Sequence, residues 1–426
     1  MYNALYTTNF LSTLNDNYQK MLGMLVVTGW VSSEWKPLVI SITGAALVLP
    51  YIFCSPLANR AAQIYGKQRV IRFCKLLEIP IVMMAVFGFL LKDPHYFPQH
   101  TYTTVIATTL VVSSIFLIGV QSSMYSPAKY GLIRDIGGIE NVSKGMGGME
   151  SLSFLGMLLA TGIAAAMVDN FSEQPVIYSS LLIILAVAGY AASLFIRAEE
   201  TNPEQKESLN PFHYMRSTHR LALQYKGLNT VIYVLSIFWW FATTIQLCVI
   251  VYCQDAMGLE KGEPGIIMCL AAVGISLGCV ISGRIGNHFK NEVVRVPVYG
   301  LLLSAGLTVI FFLNSGHYII FTIILFFVGM LGGLFKVPLD AAIQSTVRHD
   351  ELNMVLAYFN QVSFIFMFGA SITYYIVTLI LPQRFVFLML AIVMLGASAW
   401  FCYDYPLVRN YYKKGKRNKQ TDKSDL

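Results

Sequence analysis

Apolar windows of about 18–25 residues recur along nearly the whole chain, each long enough to cross bilayer hydrocarbon as a helix. They fall near 5–29, 37–58, 72–91, 102–124, 147–168 and 176–196, then near 229–252, 264–283, 296–313, 317–336, 352–380 and 385–405. Hydrocarbon offers the backbone no hydrogen-bond partners, so each window must close its own bonds as a helix. Composition points the same way. Of 426 residues 56% are hydrophobic and 12% charged, about half the roughly 25% of charged residues in an average soluble domain. Too little polar surface remains to cover a globule of this size in water. The fold class that follows is an all-α polytopic membrane protein with about twelve transmembrane helices.

The widest polar interval follows the sixth window and divides the chain into two six-helix halves. We place the N-terminal half at 1–196, a linker at 197–228, the C-terminal half at 229–405 and a basic tail at 406–426. The linker carries Glu199, Glu200 and Glu204 before a more basic run from His213 to Arg220, which suits a helix lying at the interface. The halves echo each other. The fourth window runs out through Gly119, Ser122 and Pro127 to Lys129, and the tenth through Gly329, Gly333 and Pro338 to Asp340. Two parallel six-helix halves with a site between them is an established transporter plan. Basic residues set the orientation. With the N-terminus inside, the cytoplasmic segments hold Arg60, Lys67, Arg69, Lys75, Lys129, Lys336 and many others, against only Lys36, Lys92, Lys261 and Arg384 outside. Both termini are then cytoplasmic. The tail, with Lys413, Lys414, Lys416, Arg417 and Lys419, is placed to meet anionic lipids at about 1 kcal/mol per basic residue. No folded domain surrounds it to read a nucleic acid.

The first window is not uniformly apolar. Asn9, Ser12, Thr13, Asp16 and Lys20 follow the i, i+3, i+4 spacing and share one helix face. A charge near a helix centre costs on the order of 2.5–3.5 kcal/mol on insertion scales, so a polar stripe there marks a substrate or ion path by default. A second reading stays open, in which Asp16 and Lys20 are a mutually satisfied i, i+4 pair that only holds helices together. Further candidates for binding cargo or a coupling ion are Asn15 and Asn17 beside Asp16, Gln121 and Ser122 in the fourth window, Trp239, Trp240 and Gln246 in the seventh, and Asn360 and Gln361 in the eleventh. The tryptophans could equally be packing aromatics, and the amides bridges between helices. Glu150, at the entry to the small-residue run from Gly145 to Ala164, could neutralise Lys129 or Arg134 at the cytoplasmic rim, as a gate or as a static bridge.

Enzyme chemistry finds no support. No histidine has an aspartate five positions on, as an HxxxxD acyltransferase requires, and there is no G-x-S-x-G elbow. The seven cysteines form no CxxC and the histidines no HExxH pair, which leaves no metal or cofactor to expect.

Two stretches resemble a known family. Tyr125-Ser126-Pro127-Ala128-Lys129-Tyr130-Gly131, continuing through Arg134-Asp135-Ile136, resembles the YSPAKYG signature of the bacterial lysophospholipid transporter family of the major facilitator superfamily. Phe10-Leu11-Ser12-Thr13-Leu14-Asn15-Asp16-Asn17 is similar to that family's FLSxxxDN first span, and Gly148-Met149-Glu150 and Gly332 to Leu339 fall in the matching order. The resemblance implies the major facilitator fold and movement of lysophospholipids, chiefly lysophosphatidylethanolamine, from the outer to the inner leaflet of the inner membrane. A separate cytoplasmic acyltransferase then restores the missing chain. It also implies that Asp16 is the family's membrane carboxylate and Lys129 its motif lysine, with Pro127, Tyr130 and Gly131 beside it. The chain departs from the superfamily pattern between spans two and three, where Asn59-Arg60 replaces an Asp-Arg and Lys67 and Arg69 follow an insertion. In the seventh span Gln246 stands where a basic residue is expected. A facilitator-type transporter of another amphiphile, drug or muropeptide is the alternative.

Overall fold

The computed structural model describes residues 2–30, 36–171, 174–200, 210–259, 263–288 and 292–413. The acidic stretch at 201–209, Lys261, and the tail beyond Lys413 lie outside them. The described residues form α1 (Asn3–Trp30), α2 (Lys36–Phe53), α3 (Ser55–Tyr65), α4 (Lys67–Leu90), α5 (Thr101–Gly137), α6 (Val142–Phe171) and α7 (Pro175–Leu194). Then come α8 (Pro211–Gln224), α9 (Leu228–Asp255), α10 (Glu263–His288), α11 (Val296–Phe312), α12 (Tyr318–Thr346), α13 (Leu352–Ile380) and α14 (Arg384–Asp404). Ten of these are long and apolar enough to cross a membrane. The other two expected spans correspond to α1, which is 28 residues long and carries the polar stripe, and to α2.

Helix ends depart from the expected windows at the two prolines. Pro127 and Pro338 do not end their helices. Each sits inside one, and α5 continues past Pro127 to Gly137. Proline removes one backbone donor, and membrane helices tolerate this because neighbouring groups satisfy the freed carbonyl. The 37 residues of α5 reach about 55 Å at 1.5 Å per residue, well beyond about 30 Å of hydrocarbon. The YSPAKYG stretch is therefore helical. A short amphipathic helix, α3, fills most of the expected second loop, and Gly66 (φ 85°) makes the turn from it into α4.

The chain forms two compact units. One comprises Met1–Gly138, Leu152–Met215 and His349–Gln361, and the other Ile139–Ser151, Arg216–Arg348 and Val362–Leu426. In the first, α4 packs on α5 and α7, and α1 on α2, α5 and α7. Leu14, Tyr18 and Leu22 of α1 enter a core with Val82, Phe89, Val111, Ile115 and Leu182. The Tyr18 hydroxyl is buried there and donates to the Tyr178 carbonyl at 2.8 Å, as a buried phenol must. Glu200, just past the sixth span, accepts from the backbone N–H groups of Lys67 (2.5 Å) and Gln68 (2.7 Å). It thereby satisfies two orphan donors at the start of α4 and meets the positive end of its dipole. Arg72, one turn on, donates to the Ile196 carbonyl at 2.9 Å.

In the second unit α10 packs along α12, and α11 on α12 and α14. At its glycines the α10–α12 seam has no room for a side chain. A Cβ on Gly278 would overlap the Met330 carbonyl oxygen, so the backbones themselves touch, as small-residue seams allow in lipid. Gly147 does the same at the entry of α6, where a Cβ would meet the Cys279 carbonyl at 2.5 Å.

Candidate functional site

Each unit holds charged side chains sunk among its helices. In the first, Lys75 and Glu78 lie one turn apart on α4, form an ion pair, and are fully buried. The sequence reading places Lys75 among cytoplasmic basic residues and gives Glu78 no role. The structure corrects both. Glu78 collects donors from two other helices: Asn15 Nδ2 at 2.6 Å from α1, and Gln121 Nε2 at 3.5 Å from α5, which also reaches the Cys74 carbonyl at 3.1 Å. A buried ion pair is tolerable only when such hydrogen bonds fill its remaining valences. The signal was present in the sequence, since Lys75 and Glu78 at i, i+3 interrupt an otherwise apolar window.

Asp16 faces α5. Its Oδ2 lies 2.5 Å from Ser122 Oγ, and its Oδ1 is buried without a hydrogen-bond partner. The i, i+4 pair with Lys20 does not form. Among the described residues Lys20 has neither ion pair nor hydrogen bond, and Asp16 meets no cation within ion-pair distance. The reading in which these two residues merely cement helices therefore has no pair to rest on. Asn17 spends its amide on the Thr13 carbonyl of its own helix at 2.8 Å, which is a local role. Asn9, on the same stripe, accepts from Lys129 Nζ at 2.7 Å and donates to Ser153 at 2.9 Å.

Lys129 stands over two aromatic rings, 5.3 Å from the centroid of Tyr125 and 4.9 Å from that of Tyr130. Lys75 lies 5.4 Å from the Tyr125 ring, so one tyrosine ring serves two ammonium groups. Pro127 is buried in α5, and Gly131 leaves room for Lys67 and Asn353, whose atoms a Cβ would strike. Lys67 is buried and pairs with Asp135 at 2.6 Å, and His349 Nε2 approaches the other Asp135 oxygen at 3.0 Å. Burial pushes the His349 imidazole below its ordinary pKa and Lys67 acts in the same sense. Asp135 acts in the opposite sense. Arg60 and Arg69 are exposed, and neither pairs with these groups among the described residues. Asn360 donates to Ser126 at 2.9 Å, and Gln361 to the Ile52 carbonyl at 2.8 Å. Both amides bridge helices of the first unit.

In the second unit Lys336 is the centre. Its Nζ lies 2.9 Å from Glu150 and 2.5 Å from Asp340, all three side chains are at most 3% exposed, and the Trp239 ring sits 5.3 Å away. Lys336 is thus no loop cation, and Glu150 answers it, where the sequence suggested Lys129 or Arg134. Trp240 donates to Thr373 at 3.3 Å, while Gln246 is exposed. Two carboxylates share one ammonium here. Lys336→Met should lower stability by about 1–3 kcal/mol, less than for a simple broken pair because the two acids can share a proton. Adding Glu150→Gln and Asp340→Asn should restore most of that stability in a detergent melting series.

Comparison with known proteins matches the chain to a family. The chain is 25% identical over 345 residues to the lysophospholipid transporter LplT of Escherichia fergusonii, covering 80% of this chain and 79% of that protein. It is 24% identical over 350 residues to the LplT of Serratia proteamaculans, covering 82% and 80%. Among solved structures it resembles the E. coli fucose:proton symporter FucP (TM-score 0.71, 11% identity, 94% of this chain and 98% of that one). A bacterial homologue of the iron transporter ferroportin in its outward-facing state gives a TM-score of 0.69 at 12% identity, with the same coverage. At such identities these likenesses speak for the fold alone. The family model of the Major Facilitator Superfamily matches residues 5–368. With its helical spans, its buried charges and that match, the chain belongs to the major facilitator superfamily and is a multi-pass membrane transporter, not an enzyme.

Proposed function

We propose that this transporter flips lysophospholipids of the lysophosphatidylethanolamine type to the cytoplasmic leaflet of the inner membrane, by alternating access of halves at 1–196 and 229–405. A separate cytoplasmic acyltransferase then reacylates the product. The observation that carries the reading is Asp16: an acid held inside a spanning helix by one serine, with one oxygen buried without a hydrogen-bond partner and, among the described residues, no cation within ion-pair distance. An ionisable group so placed is functional by default, and a carboxylate suits the ammonium of an ethanolamine head group. The amide of Asn15 and the hydroxyl of Ser122 stand beside it. The names of the relatives support the same cargo, and the apolar outer faces of the helices suit an acyl chain that stays near lipid. Both termini are assigned to the cytoplasm by the distribution of basic residues.

Vesicles reconstituted with the pure protein should move labelled lysophosphatidylethanolamine between leaflets and leave diacyl phosphatidylethanolamine in place. Absent flipping, together with a melting shift produced by amphiphilic drugs but not by lysolipid, would transfer the assignment to another amphiphile.

A further inference from the structure

Arg384 is among the few basic residues that the charge distribution assigns to the outer side, and the groups around Asp16 do not involve it. It opens α14 on the wall of a cavity of about 640 Å³ that lies wholly within the second unit. The rest of the wall comes from the end of α9 at Tyr252, the end of α11 at Phe311 and Phe312, and the polar turn at Asn314 and Ser315. The backbone beside Arg384 is held on two sides. The Cys248 thiol of α9 donates to the Gln383 carbonyl at 3.7 Å, and the Phe385 ring meets Phe311 edge-on with centroids 5.2 Å apart. The guanidinium stands 5.5 Å from the Phe385 ring and makes no hydrogen bond or ion pair among the described residues.

Charge in the cavity is divided between two poles. Arg384 presents a planar fork of donors, which suits a phosphate. Opposite in sign are the ends of α9 and α11, where the last carbonyls of a helix lack intrahelical partners and carry the negative end of its dipole. With the rings of Tyr252, Phe311 and Phe312 beside them, these ends suit an ammonium. A phosphoethanolamine head group, with its two charges a few bonds apart, answers both poles. A free phosphate answers only one. The depth also fits. The 17 residues of α11 rise about 26 Å, close to the roughly 30 Å of hydrocarbon, so a cavity over its end lies at head-group level. Along the same helix Leu302, Val309 and Phe312 form an exposed apolar stripe.

We propose that this cavity captures a lysophospholipid with an ethanolamine head group from the outer leaflet. The phosphate sits on Arg384, the ammonium lies at the ends of α9 and α11, and the single acyl chain runs along the exposed stripe of α11. The proposal rests on the reading of the cargo as a lysophospholipid and adds the place where that cargo is first held. Drawing a head group into the cavity moves chain carbon out of hydrocarbon, and a second chain doubles that cost. The site therefore favours the one-chain lipid over its diacyl neighbours.

The probe is lysophosphatidylethanolamine with a diazirine at the glycerol end of its chain, irradiated with the full chain in phosphatidylcholine nanodiscs. Peptide mapping should find adducts within residues 309–315. In Arg384→Gln these should fall roughly tenfold at limiting probe, the factor for losing one charge-assisted hydrogen bond. Arg384→Lys should keep part of them. Lys92→Gln, which removes an outer cation from the first unit, should label like the parent. Water-soluble glycerophosphoethanolamine should compete, and inorganic phosphate at the same concentration should not. In reconstituted vesicles Arg384→Gln should flip lysolipid slowly at limiting concentration, with the deficit closing as concentration rises. Adducts spread over other outward helix faces, or adducts at 309–315 that Arg384→Gln leaves unchanged, overturn the capture site. Equal competition by diacyl phosphatidylethanolamine overturns it too, by making the occupant bulk lipid, and equal competition by inorganic phosphate does so by making the cavity a simple anion site. Parent protein that flips lysolipid without marking the cavity overturns the capture site and leaves the flipping reading standing. A marked cavity in protein that flips no lysolipid overturns the flipping reading and leaves lysolipid binding here standing.

Discussion

Glu78→Ala should cost about 3–5 kcal/mol of stability, the usual result of removing one partner from a buried ion pair. The variant leaves the Lys75 ammonium buried without its anion, and the Asn15 and Gln121 amides lose the oxygens they donate to. Thermal melting in detergent would register this as an early transition. The informative comparison is Lys75→Met with Glu78→Leu. Apolar side chains of similar length fill the space without charge, and replacing a whole buried pair in this way is often close to neutral. Two donors, on Asn15 and Gln121, still lose an acceptor at about 1–3 kcal/mol each at most. The double variant should therefore melt well above Glu78→Ala and somewhat below the parent. A Glu78→Ala protein as stable as the parent would mean that water reaches the pair and that α1, α4 and α5 are not locked together there.

What the sequence made legible, and what it did not, follows from the range of the interactions. Twelve apolar windows predicted twelve long helices because hydrocarbon leaves the backbone one local solution, and that constraint needs no knowledge of partners. The stripe from Asn9 to Lys20 was legible for the same reason, since it is a property of one helix. Asp16 with Ser122 was not, because 106 positions separate them and only the docking of α1 on α5 brings them together. The i, i+4 spacing of Asp16 and Lys20 suggested a pair. Spacing allows such a pairing but does not enforce it, and the carboxylate turned to a neighbouring helix instead. Lys75 and Lys336 were misplaced by a sound rule applied at the wrong depth. Basic residues do gather in cytoplasmic loops, but one that finds a buried carboxylate can stay inside. Pro127 and Pro338 likewise marked expected helix ends by a soluble-protein habit that membrane helices override.

The central claim is that Asp16 handles cargo. The direct measurement is uptake of labelled lysophosphatidylethanolamine by vesicles containing matched amounts of parent or Asp16→Asn protein. Asparagine is close to the protonated acid in shape and can still donate to Ser122, so the fold should survive, and a melting curve verifies that. It cannot become an anion. The substitution therefore removes a charge-assisted hydrogen bond to the cargo, worth about 1.5–3 kcal/mol, or roughly a tenfold to hundredfold fall in transport at about 1.4 kcal/mol per tenfold. A folded Asp16→Asn protein with uptake reduced to that degree is the predicted result. Equal uptake by the two proteins would contradict it and remove Asp16 from the mechanism.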